Sequence, residues 1–273
     1  MPTIDSHGIQ LAYTDSGGDG RPVVLIHGWP LSGASWSEQV PALTAAGYRV
    51  ITYDRRGFGD SDKPADGYDY DTFAEDLAGL LEGLQVTDAT LVGFSMGGGE
   101  VARYLGSRGS ERVRSAVLAG AVPPYLLKTD DNPDGGLGDE DVEGMKQGVR
   151  DDREGFLDGF TRDFFSAGDS LKVSEEQRRE ALQLAAPARD EAVVACIDAF
   201  GRTDFREDLA AIDVPVLVIH GDADAIVPLE VSGRRSADAL SDATLHVVAG
   251  GPHGFNVSHA EELNTALLDF LQR

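Results

Sequence analysis

Five residues, Gly93-Phe-Ser95-Met-Gly97, have the G-x-S-x-G form in which a tight turn presents a serine hydroxyl. A buried apolar run, Thr90 to Phe94, leads into them, and a stretch with helical spacing through Val101, Ala102 and Leu105 leads out. So tight a strand-to-helix turn strains the serine backbone, and glycine at 93 and 97 removes the Cβ atoms that would crowd it. The hydroxyl then stands at a helix N-terminus, where the dipole favours developing negative charge. Gly97, Gly98 and Gly99 in a row cost up to about 1 kcal/mol each in a helix interior, so they point to close packing or close substrate approach. A chance match in a packing turn is the competing explanation, and the flanking strand and helix count against it.

A serine hydroxyl is a weak nucleophile until a neighbouring base takes its proton. In a strand–turn–helix setting of this kind an acid and then a histidine follow the serine in chain order. Of six histidines, His253 lies in the Gly250-Gly-Pro-His-Gly254 loop after the last apolar run, where its side chain can project over a sheet end. His27 and His220 end apolar runs and read as structural hydrogen-bonding groups. His7, His246 and His259 sit near the terminus, within a strand and at a helix start. The acid belongs after Val216 to His220, where Asp222 and Asp224 are both candidates. Asp222, next to Gly221, can cap the turn through local amides. Asp224, followed by apolar Ile226-Val227, is better placed to reach His253 and is preferred.

A tetrahedral intermediate needs two N–H donors already aimed at its oxyanion. One is expected from Met96, directly after the serine. The other is expected from Trp29, in the loop His27-Gly28-Trp29-Pro30 that follows the run Val23 to Ile26. Pro30 has no N–H and only shapes that loop.

The elements that must hold these residues are legible as short apolar runs alternating with helical spacing. Val23–Ile26, Arg49–Tyr53, Thr90–Phe94, Ser115–Leu118, Val216–Ile219 and Thr244–Val248 read as fully buried strands of a parallel sheet with helices on both faces. The alternating stretch Thr3 to Thr14 suits an antiparallel edge. Thr72-Phe-Ala-Glu75 and Ser258-His-Ala-Glu261 have the form of capping boxes before apolar helix faces. The rhythm breaks from about Val122 to Phe205, where helical stretches with Phe156, Phe160, Phe164 and Phe165 read as a cap over the strand ends. The expected organisation is a core of residues 1–121 and 206–273 with a helical insertion, 122–205. Asp54-Arg-Arg-Gly-Phe-Gly59 could suggest an anion site but reads better as a structural turn with an Arg–Asp pair.

Composition excludes several function classes. Formal net charge is −24, from 23 basic and 47 acidic residues, a field that repels nucleic-acid phosphates and anionic lipid. No apolar run approaches the about 18 residues of a membrane span, and the start MPTIDSHGIQ lacks the pattern of a secretory signal, so a cytoplasmic protein is expected. The single cysteine, Cys196, excludes an intrachain disulfide and reads as core packing. No His, Cys and carboxylate cluster has metal spacing, and no glycine-rich stretch has a dinucleotide or P-loop pattern. Neither a metal nor a cofactor is expected.

These residues together resemble the cofactor-free (non-haem) bacterial haloperoxidases, or perhydrolases, and their aryl-esterase relatives in the α/β-hydrolase superfamily. The resemblance rests on His27-Gly-Trp-Pro30, Tyr53 to Gly59, Gly67-Tyr-Asp-Tyr-Asp-Thr-Phe73, Leu91 to Arg103, Ala119-Gly-Ala-Val-Pro-Pro124, Thr203-Asp-Phe205, Asp213-Val-Pro215, His220-Gly-Asp222 and Pro252-His-Gly-Phe255. It spans nearly the whole chain and is weakest from Thr129 to Gly148. It implies an α/β-hydrolase fold with a mostly parallel sheet of about eight strands and an inserted cap. It also implies hydrolysis of small carboxylic esters, with hydrogen peroxide able to replace water and give a peracid that oxidises halide in solution. By the same resemblance Pro30 favours perhydrolysis, by drawing a loop carbonyl to where it accepts from peroxide. The implied substrate pocket takes in Trp29, Pro30, Phe94, Val122, Phe160, Phe164 and Ile226, and the implied assembly is a trimer or hexamer. Related sequences hydrolyse small lactams, which leaves an amide substrate as the alternative. A receptor with a slow triad is the reading from another class. Dehalogenases and epoxide hydrolases use an aspartate nucleophile, which serine at 95 argues against.

Overall fold

Strands built from unbroken apolar runs require cover on both faces, and the computed structural model, which describes residues 1–273, supplies it. Eight strands form one sheet: β1 (Thr3–Ser6), β2 (Ile9–Asp15), β3 (Pro22–Ile26), β4 (Arg49–Tyr53), β5 (Ala89–Phe94), β6 (Val113–Ala119), β7 (Val216–Gly221) and β8 (Ala243–Val248). Their order is β1-β2-β4-β3-β5-β6-β7-β8. All pairings from β4 to β8 are parallel, and β1 and β2 add the antiparallel edge expected from Thr3 to Thr14. Alternation of side chains across a strand divides the core in two. Val23 and Leu25 of β3 point into a cluster with Trp36, Leu263 and Phe270, while Val24 and Ile26 point into one with Leu77, Val101 and Leu209.

Helices α1 (Gln39–Ala45), α2 (Tyr70–Gly83) and α3 (Met96–Arg108) lie between the first six strands. Between β6 and β7 come α4 (Asp139–Asp151), α5 (Arg153–Phe164), α6 (Glu175–Ala185) and α7 (Asp190–Arg202), with a two-rung hairpin at Ser166–Leu171. Helices α8 (Arg206–Ala211), α9 (Gly233–Ala239), α10 (Phe255–Ser258) and α11 (Ala260–Leu271) complete the chain. No helix is long and apolar enough to cross a membrane.

Register brings the functional loops together. Ile26 stands opposite Gly93, Phe94 opposite Ala119, and Gly221 opposite Val248. The loops leaving β3, β5, β7 and β8 therefore open on one edge of the sheet, and these carry residues 27–30, 95, 224 and 253.

Three local expectations are corrected. The run Thr244–Val248 is not fully buried: β8 is the last strand, and only Val248 is buried while Val247 is 36% exposed. Helix α2 begins two residues before Thr72, with Asp69 as its cap, because the Asp69 carboxylate accepts from both the Thr72 N–H and hydroxyl, each at 2.9 Å. The box at Ser258 does not form either; α10 ends there, and His259, at the N-cap position of α11, makes no side-chain cap. In the turn after β4, Arg56 does pair with an aspartate, but with Asp76 of α2, donating to both its oxygens at 2.5 and 2.7 Å, while Asp54 of the turn accepts from the Gly33 and Asp60 N–H groups.

Candidate active site

Ser95 occupies the turn between β5 and α3 at φ +54°, ψ −120°, in the positive-φ region that a serine enters only where the surrounding packing compels it. That compulsion is visible at Gly93, where a Cβ would lie 2.3 Å from the Gly97 carbonyl oxygen. The oxygen Oγ of Ser95 is thereby aimed at His253, 2.9 Å from its Nε2. On the other side of the ring, Nδ1 lies 2.6 Å from Oδ2 of Asp224. A carboxylate can only accept there, which puts the ring proton on Nδ1 and leaves Nε2 free to take a proton from the serine.

Asp224 is fixed from its other oxygen by the N–H groups of Ile226 and Val227, at 2.9 and 2.8 Å. His220 adds a third constraint: its Nε2 donates to the Val227 carbonyl at 2.7 Å and stands 3.4 Å from Asp224 Oδ2. Burial disfavours a charge on Asp224, but His253 and His220 beside it outweigh that cost and hold its carboxyl well below the usual carboxylate range. Asp222, the other candidate, faces away and accepts from the Gly250 N–H at 2.6 Å. The His253 ring is clamped by two aromatic side chains, with centroid distances of 5.2 Å to Phe94 and 5.0 Å to Phe164.

Met96 is the first residue of α3, so its N–H has no partner within the helix. The Trp29 N–H likewise has no acceptor in the chain. A Cβ on Gly28 would come within 3.1 Å of the Ser95 Cβ, so this loop stands directly against the serine. The Trp29 indole Nε1 donates to the Val193 carbonyl of α7 at 3.0 Å, and its ring packs edge-on to Phe160 and Phe200, at 5.0 and 5.6 Å.

A cavity of about 480 Å³ opens at Ser95. Of the residues expected in a pocket, Trp29, Val122, Phe160 and Ile226 line it. Pro30, Phe94 and Phe164 do not. Phe94 and Phe164 are spent on the His253 ring, and Pro30 is buried in its loop. Their place is taken by Leu126, Leu137, Met145, Phe156 and Phe200, with Asp163 as the one charged lining residue. Phe156 was within reach of sequence reasoning, since it precedes Phe160 by one helical turn and shares its face. Leu137 and Met145 lie in the stretch where no motif was recognisable.

The chain matches the family described as alpha/beta hydrolase fold over residues 21–260. It is 47% identical to a non-heme chloroperoxidase of Kitasatospora aureofaciens, over 97% of each chain. It is 38% identical to a bifunctional esterase/perhydrolase of Acinetobacter calcoaceticus, again over 97% of each. Among solved structures, the bromoperoxidase of Bacillus anthracis superposes with a TM-score of 0.97 at 53% identity, covering 100% of this chain and 99% of that one.

Proposed function

Since the chain belongs to the α/β-hydrolase family, in its non-haem haloperoxidase and perhydrolase branch, we propose a cofactor-free serine hydrolase of small carboxylic esters that also carries out perhydrolysis. The observation that carries this reading is the continuous chain Ser95 Oγ, His253 Nε2, His253 Nδ1, Asp224 Oδ2 at the mouth of an apolar cavity. Ser95 Oγ attacks the ester carbonyl carbon while its proton passes to His253 Nε2. The N–H groups of Trp29 and Met96 receive the oxyanion, and collapse of the intermediate expels the alcohol, which takes its proton from His253. Water then attacks the acyl-enzyme with His253 again as base, releasing a carboxylic acid and restoring Ser95. Hydrogen peroxide attacking in place of water releases a peracid. In solution the peracid transfers oxygen to halide, giving hypohalous acid while the peracid is reduced to the carboxylic acid.

The cavity sets the substrate class. Apart from Ser95 itself, Asp163 is its only polar side chain, so neutral acyl groups are favoured and carboxylate-bearing ones are repelled. Ser95→Ala is expected to abolish hydrolysis of p-nitrophenyl acetate and peroxide-dependent bromination together, with the far-UV circular dichroism unchanged. Retention of either activity at the wild-type rate would overturn the assignment of Ser95.

A further inference from the structure

His27 directly follows β3, is entirely buried, and is unused by the mechanism above. Its Nε2 lies 3.0 Å from the backbone N–H of Arg55, a group that only donates, so Nε2 accepts and the ring proton sits on Nδ1. That Nδ1–H donates to the Gly28 carbonyl at 2.9 Å, an oxygen that also accepts from the Leu31 N–H at 3.0 Å. Burial, with the Arg55 guanidinium close by, holds the imidazole well below its usual range and so neutral. The ring keeps this single donor and single acceptor.

The Gly28 carbonyl and the Trp29 N–H belong to one peptide unit. The cis peptide bonds are Trp29–Pro30 and Pro123–Pro124, so the Gly28–Trp29 unit is trans. In a rigid trans unit the N–H points opposite the C=O, and holding the oxygen aims the hydrogen. Arg55 is fixed in its turn. Its guanidinium donates to the His27 carbonyl at 2.9 Å and, through Nε, to Glu100 of α3 at 2.7 Å, while the second Glu100 oxygen accepts from the Tyr53 hydroxyl. Both members of this ion pair are buried. The helix that follows Ser95 and the loop that carries Trp29 are therefore connected through one buried ion pair and one imidazole.

We infer that His27 is a positioning residue for the oxyanion hole: its Nδ1–H sets the orientation of the Gly28–Trp29 peptide, and the Arg55–Glu100 pair sets His27. This rests on the role proposed above for the Trp29 N–H. Two variants separate the two sides of the imidazole. In His27→Asn the amide nitrogen falls near the Nδ1 position and can still donate to Gly28. In His27→Gln the amide oxygen reaches the Nε2 position, accepts from Arg55, and offers Gly28 nothing.

The probe is phenylboronic acid, whose tetrahedral adduct with Ser95 places an oxygen in the oxyanion hole. Its inhibition constant is compared with kcat and KM for p-nitrophenyl acetate. Removing one oxyanion donor costs on the order of 10²–10³ in kcat, and a misaimed donor should cost part of that. The expected result for His27→Gln is a loss of about 10- to 100-fold in kcat, a matching loss in boronate affinity and a KM within about threefold. For His27→Asn both quantities should stay within about fivefold of wild type. Boronate binding by His27→Gln as tight as wild type would overturn the inference, as would equal losses in the two variants. Failure of the underlying hydrolase reading looks different: the wild type itself would then bind no boronate and Ser95→Ala would stay active.

Discussion

Replacing Asp224 by Asn changes one atom at the point where the proposed proton path is most constrained. The wild-type carboxylate accepts from Ile226 and Val227 through Oδ1 and from His253 Nδ1 through Oδ2, the last at 2.6 Å. An asparagine must keep its single oxygen toward the two backbone N–H groups, or two buried donors are orphaned at about 1–3 kcal/mol each. Its NH2 group then faces Nδ1 and donates into it, which moves the ring proton to Nε2, against Ser95 Oγ. A protonated Nε2 cannot take the serine proton. The same tautomer reversal in a serine protease costs on the order of 10⁴ in kcat, or about 5 kcal/mol on the barrier. KM should change little, since Asp224 lies behind His253 and outside the cavity lining. Steady-state hydrolysis of p-nitrophenyl acetate reads both numbers. Asp222→Asn is the control: its carboxylate meets only the Gly250 N–H among these groups, and kcat should stay within about threefold. An Asp224→Asn enzyme within about tenfold of wild-type kcat would refute the tautomer argument.

Two further predictions concern groups away from the serine. The Arg56–Asp76 pair is buried on both sides, so Asp76→Ala leaves a guanidinium uncompensated and should lower unfolding stability by about 3–5 kcal/mol in urea titration, with kcat nearly unchanged in the folded fraction; a loss below about 1 kcal/mol would show that the charge finds water. Burial pushes the Cys196 thiol up to about 12, with Arg55 easing and Glu100 adding to the shift. The folded state thus favours the protonated thiol, a stabilisation complete below the ordinary thiol range and lost as pH climbs through it toward that value. At about pH 8 the native protein should not react with Ellman's reagent, and one equivalent should react in denaturant; rapid labelling of the native state would contradict the burial.

Much of the site was legible because its constraints are local. The turn at Ser95 is enclosed within five residues, and the steric demand at Gly93 and Gly97 is written as the absence of side chains in the chain itself. The candidate acid and base are legible from position, each after an apolar run, because a parallel sheet with covered faces delivers all its strand ends to one edge. Choosing Asp224 over Asp222 needed only the apolar residues that follow. Asp69 was missed as a cap because Thr72 and Glu75 also satisfy the pattern, and the carboxylate three residues before Thr72 is the stronger acceptor.

The pocket was less legible. Phe94, Phe160 and Phe164 are alike in sequence, yet two of them clamp His253 and one faces the cavity, because the rotation of α5 and the path of the loops set which ring meets which space. The positioning inferred for His27 was equally hidden: Arg55, which meets it, and Glu100, which meets Arg55, lie 28 and 73 positions away in the chain. Sequence alone determined the candidate reacting groups and the sheet, since turn sterics and alternation act between residues adjacent along the backbone. Tertiary structure alone decided the cavity walls and the aim of the Trp29 N–H, since packing and buried hydrogen bonds join side chains whose separation no pattern encodes.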